Sequence, residues 1–359
     1  MKNKFAIMVL TLLLTMTVVL AGCSSKQEPK EALKAATANA ATMTSYELKS
    51  KLVIEELQVT APDLVDDASV GMVMSMLKNA ELTVDGFYQA DPMQTELTLG
   101  LNLKGDMAMS FNIPIIMTPE KMYVKIPSIP MMPLPETVIG KYLELDLKEL
   151  AEQEGAEFNL NTLDTEKTQK LSSEISEVLF NEYDEASYFK DIAVKDANLP
   201  EGVEAKQVVQ FYLTNDNIAE AITILVEKAL PSMINIIDTD EYRELLGVKA
   251  EDIQVIRDEL SALDKAEFNQ GLEEMKSMLT INNFNMNTAI DKKDFTTYQD
   301  MALDFAVNDP ETNQEMKLAL KGYSQFLNIN EAQTFVIGIP AAADILTMEQ
   351  LEKEFGGLY

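Results

Sequence analysis

The side chains able to do chemistry in this 359-residue chain are one cysteine, Cys23, twenty-one methionines, fifty-nine aspartates and glutamates, and no histidine. Without histidine, Ser-His-Asp relays, His-ligated zinc and HExxH hydrolysis lack their base or ligand. Carboxylates could still act in pairs on a glycosidic bond. Among so many acids some pair falls at a suitable distance by chance, and no spacing singles one out. No Gly-rich phosphate loop and no EF-hand loop occurs either. The chain is therefore expected to be no enzyme, with no catalytic residue and no cofactor. Methionine thioethers are soft ligands for Cu(I). Met72-x-Met74-x-Met76 and Met107-x-Met109 place sulfur at alternate residues, which share a face if the segment is a strand. The same spacing makes an adaptable apolar wall, and with no Cys or His ligand beside it the wall is the simpler reading, so no metal ligand is assigned.

Cys23 has a context of its own. Lys2 and Lys4 precede an apolar run from Phe5 to Leu20, and Leu20-Ala21-Gly22-Cys23 follows. A basic n-region and a short apolar h-region read as a secretory signal over residues 1–22, and small residues before a cysteine resemble the bacterial lipobox. Cleavage before Cys23, with diacylglycerol on its sulfur, would leave a tether over 23–30 and one domain over 31–359, lipid-anchored to the cell membrane outside the cytoplasm. The formal charge of −30 excludes nucleic acid as a partner. It also offers nothing to anionic lipid, so membrane attachment falls to the anchor. With Cys23 acylated no disulfide remains, and the fold must rest on its core.

The elements that would position any site are led by Thr95–Ile115. Leu97, Leu99, Leu101 and Leu103 alternate with polar residues, and Met107, Met109, Phe111, Ile113 and Ile115 do so again. This pattern predicts a β-hairpin with one apolar face. A three-residue loop, Lys104-Gly105-Asp106, would set Leu103 across from Met107, Leu101 from Met109, Leu99 from Phe111 and Leu97 from Ile113. Burying such side chains is worth roughly 1.5–3 kcal/mol each, so the face must be covered, either by the protein's own helices or by an apolar ligand shared with them.

Around the hairpin, a helix is expected from Pro29 and strands over Ser45–Leu57, Glu81–Gln89, Lys121–Ile126 and Lys141–Leu145. A short helix or lid is expected within Asp63–Leu77. Prolines at 127, 130, 133 and 135 forbid helix or ladder strand and make Ile129, Met131, Met132 and Leu134 candidates for an apolar rim at a cavity mouth or for a core plug. A helical insertion at about 146–280 follows, broken by a strand near Val203–Leu213. Its most apolar part, Ile218–Ile237, carries Glu227, Lys228 and Pro231, which argues against a membrane span. Strands return over Asn282–Ile290, Thr297–Val307 and Met316–Tyr323, and Thr347-Met348-Glu349-Gln350 opens a last helix in capping-box form. The expected class is α+β: a large antiparallel sheet with its N- and C-terminal strands adjacent and the middle helices across one face.

The lipobox, a first helix ending at Met43-Thr44-Ser45-Tyr46, the meander of apolar-faced strands and the helices between strand groups resemble the LolA/LolB and LppX/LprG-like lipoprotein superfamily. That resemblance implies an unclosed half-barrel with helices on its concave face and a cavity that carries a lipid or other apolar ligand. The hairpin residues Leu97, Leu99, Leu101, Leu103, Met107, Met109, Phe111 and Ile113 are the cavity candidates. Two alternatives stand beside lipid carriage: a structural or interaction lipoprotein with a filled core, and a Met-rich Cu(I)-binding lipoprotein. A protein partner is not assigned.

Overall fold

A computed structural model describes residues 26–60, 68–104, 108–129, 134–149 and 165–356. Cys23 and its neighbours, Met107, Met131 and Met132 lie outside them. The protein is α+β, built on a twelve-stranded sheet that curves without closing. Its centre is β1 (Ser45–Thr60), paired antiparallel with β2 (Glu81–Ala90) on one side and with β11 (Gln314–Leu327) on the other. The first half continues through β3 (Met93–Leu103), β4 (Met109–Met117), β5 (Lys121–Lys125) and β6 (Tyr142–Asp146). The second runs outward from β11 through β10 (Thr296–Asp309), β9 (Leu279–Ile290) and β8 (Gln207–Tyr212) to β7 (Phe189–Ile192). All pairs are antiparallel except the last at the far edge, where β12 (Ile345–Thr347) lies parallel to β6. Bulges at Glu55 in β1, at Thr297 in β10 and at Asn282 in β9 add local twist, which helps bend so wide a sheet.

Period two decides which side of the sheet is apolar. Through the paired registers, Leu48, Leu52 and Ile54 of β1 share the inner face with Val84, with Leu97, Leu99 and Leu101, and with Leu320, Leu303 and Phe284. The opposite face carries Lys49, Lys51, Asp85, Thr98 and Asn112. Helix α1 (Pro29–Ala40), with proline in its first turn, lies along the inner face over β8, β9 and β10. Packed on it is α3 (Thr165–Glu182), whereas α2 (Ala68–Leu77) touches β1.

Between β8 and β9 come α4 (Ile218–Ile224), a π-helical stretch (Leu225–Ala229) and α5 (Leu230–Ile237). Pro231 has no N–H and its ring presses on the carbonyl of Glu227, so the widened turn falls where the α-helical ladder cannot continue. Helices α6 (Asp240–Leu246), α7 (Ala250–Ala262) and α8 (Lys265–Met278) complete the insertion. Among the described residues no helix is long and apolar enough to cross a membrane. The final helix α9 (Met348–Gly356) starts with the reciprocal cap read from its sequence, Thr347 N–H to Gln350 Oε1 at 3.0 Å and Gln350 N–H to Thr347 Oγ1 at 3.3 Å.

One local expectation is corrected. The hairpin register is shifted by two residues, with Leu103 across from Met109, Leu101 from Phe111, Leu99 from Ile113 and Leu97 from Ile115. The connection therefore spans five residues rather than three. An odd loop keeps both apolar rows on one face, and the extra length sets Asn102 opposite Ser110, whose hydroxyl donates to the Asn102 carbonyl oxygen. The segment containing Met72, Met74 and Met76 is helical over Ala68–Leu77, in line with the short helix or lid expected within Asp63–Leu77. The shared-face argument for alternate residues holds for a strand and does not carry over to a helix. Strands β7 and β12, four and three residues long, had no sequence signal.

Candidate functional site

Where α1 and α3 cross the second half of the sheet they leave a cavity of about 440 Å³. Its roof is Leu33 and Thr37 of α1, Ser176, Leu179 and Phe180 of α3, Tyr183 just beyond it, and Leu225 of the π-turn. Its floor is Phe189, Phe211, Met286, Thr288, Thr296 and Gln299, from β7 to β10. Among the described residues no charged side chain lines it. A net of aromatic rings holds one wall: Tyr183 meets Tyr188 edge-on at 5.0 Å, and Phe189 meets Phe211 at 5.5 Å. The Tyr183 hydroxyl donates to the Ala221 carbonyl at 2.9 Å, which keeps the phenol in place, and burial raises its pKa. On the floor Gln299 Nε2 donates to Thr288 Oγ1 at 3.1 Å. The polar atoms here are neutral hydroxyls and amides.

Three smaller spaces continue the cavity. One of about 230 Å³ shares Thr37 and Thr296 and runs under the end of α1 toward Met43, Tyr46 and Phe326. Another of about 140 Å³ shares Met286 and Gln299 and reaches Leu52 and Met301 at the sheet's centre. A cleft of about 210 Å³ between α1 and α3 shares Thr37 and Phe180. Thr37 borders three of the four spaces and had no signal in the sequence, where it is one polar residue in an amphipathic helix. A larger hollow, about 700 Å³, lies elsewhere, by the turn after β9 and the end of β11. Lys206, Asp291, Lys292, Lys293 and Glu331 line it, which suits no apolar ligand.

The hairpin candidates lie on the same inner face but line none of these spaces, because the helices pack chiefly on β1 and β7–β10. Leu103 is buried, and Leu97, Leu99, Leu101, Met109, Phe111 and Ile113 are half-buried. They form an open apolar floor, with β3 four strands from β10. Of the rim candidates, Ile129 and Leu134 are half-buried. The base of their loop is closed by Ile126 N–H to Lys141 O and Gly140 N–H to Ile126 O, both 2.9 Å, with Val138 fully buried beneath. Thr137 Oγ1 meets Glu354 of α9 at 2.6 Å, which ties this loop to the C-terminal helix.

On the outer face, sequence reasoning missed Glu96. It is only 3% exposed, and its carboxylate accepts the N–H groups of Val336, Ile337 and Gly338 at 2.9–3.0 Å. Gly338 has φ +69°, a left-handed turn that glycine adopts without strain. The segment it fastens is the strap from β11 to β12, which must pass the whole first half of the sheet. In its own strand Glu96 looks like any solvated residue.

Fold and cavity together define an open α+β half-barrel with a neutral, mainly apolar pocket beneath its helices. Compared with protein-family models and with curated proteins, the sequence matches none significantly.

Proposed function

We propose that the protein is an extracytoplasmic lipoprotein, anchored through Cys23, that binds a lipid or another apolar ligand in the cavity under α1 and α3. The observation that carries this reading is the space of about 440 Å³ whose lining, among the described residues, includes no charge. Its size falls in the range of small-ligand sites, and an apolar chain entering it gives up no ionic hydration. The contiguous spaces toward Leu52 and Met43 give a longer ligand somewhere to extend.

Native mass spectrometry and organic extraction of the domain without its anchor test the reading. Recovered lipid, or displacement of a fluorescent fatty acid, is the expected result. Thr37→Phe, placed where three spaces meet, is expected to weaken uptake by about tenfold, or 1.4 kcal/mol, with little change in melting temperature. Protein that is repeatedly empty and displaces no probe would instead favour a filled structural lipoprotein. Clickable fatty acid that labels the wild type but not Cys23→Ala supports the anchor, and equal membrane retention of both argues against it.

A further inference from the structure

The first described residues do not leave the domain freely. The Gln207 side chain, 2% exposed at the start of β8, donates through Nε2 to the Gln27 carbonyl and to Asp191 Oδ1, each at 2.8 Å. Asp191 Oδ2 in turn pairs with Lys26 Nζ at 3.0 Å. Three residues on, α1 is already under way, with Pro29 and Ala32 buried and Lys30 Nζ donating to the Tyr183 carbonyl at 3.2 Å. The chain is thus fastened to the β7–β8 edge from Lys26 onward. Only Ser24 and Ser25 stand between Cys23 and Lys26, and three residue steps reach at most about 10 Å. Leu33, at the cavity wall, lies four residues beyond Pro29, or about 6 Å along the helix.

We propose that Gln207 and Asp191 clamp the tether so that the domain sits directly on its own bilayer with the α1–α3 cleft at the lipid surface. The cavity then fills from the leaflet that holds Cys23 and not from a carrier or a distant membrane. This rests on the anchored, lipid-binding reading above. The partner is the bilayer because the chain between clamp and anchor is too short to hold this edge anywhere else. The net charge of −30 would otherwise favour distance from an anionic surface, so the short fastening has an opposing force to overcome.

The test uses the full acylated protein in phosphatidylcholine vesicles carrying a fluorescent diacylglycerol, either in the vesicle that holds the protein or in vesicles added afterwards. Wild type is expected to load from its own vesicle first. Fifteen Gly/Ser residues inserted between Ser25 and Lys26 lengthen the tether about sixfold, which should slow that loading about tenfold while leaving binding in detergent unchanged. In a second arm, trypsin cutting after Lys26 should release the domain several-fold faster from the Asp191→Ala/Gln207→Ala variant than from wild type. Equal loading at both tether lengths, faster loading from added vesicles, or equal release overturns the clamp. A domain that binds no lipid even in detergent overturns the cavity reading instead, and the clamp then stands or falls on the trypsin arm.

Discussion

The two halves of the sheet use the same alternation and end in different states. Under β7–β10 the inner face is roofed by helices, and Leu33, Tyr183, Tyr188, Phe189, Val209 and Ile290 form a buried cluster beside the cavity. Under β2–β5 most of the inner rows stay half-buried, Tyr88 and Leu103 being buried, and Leu82 is 42% exposed. The difference lies in connections. Strands β2 to β5 are joined by short turns, and a turn cannot fold back as a roof, whereas the chain between β6 and β9 includes α3 to α8. Apolar alternation therefore makes a face, and only an insertion of sufficient length turns that face into a pocket.

The largest expected contrast is between truncations in the two halves. Tyr188 is fully buried, so Tyr188→Ala should cost about 3–5 kcal/mol, while Leu99→Ala on the open floor should cost about 1 kcal/mol. Chemical denaturation checks both, and equal costs would mean the open floor is covered after all. The roofed half should also carry an alkaline signature. Burial first, and then the Glu220 carboxylate, push the Tyr188 phenol up to about 12 from its ordinary 10.0. The folded state holds the neutral phenol, so its stabilisation is complete below pH 10 and is lost as pH rises through about 12. Tyr188→Phe should remove that part of the alkaline transition.

Next in size is the strap across the outer face of the open half. Glu96→Ala leaves the N–H groups of residues 336–338 without their acceptor and should cost about 1–3 kcal/mol. Hydrogen exchange at Val336, Ile337 and Gly338 should rise before exchange in β8 does. Unchanged protection there would show that the strap is held by other contacts. The smallest effect is expected at Leu82→Ser, within about 0.5 kcal/mol, because a side chain already so exposed loses little.

Local rules reach a definite distance in this protein. Alternation from Leu97 to Ile115 determines two paired strands with a common apolar face, since side-chain direction is a property of each residue's own backbone. Proline at 29 and the Thr347–Gln350 pair determine helix starts for the same reason, their partners lying within one turn. The hairpin register already exceeds that reach, since it is set across the strands, where Asn102 faces Ser110.

The cavity and the latch were decided wholly by tertiary structure. Thr37 borders the pocket because α1 meets strands far along the chain, and Gln207 reaches Gln27 across a separation of 180 residues. Glu96 finds its donors 240 to 242 residues away. Such positions carry no periodicity and no neighbouring motif. Their roles exist only once the curvature of the sheet and the path of the helices bring distant backbone and side chains within hydrogen-bonding or van der Waals range.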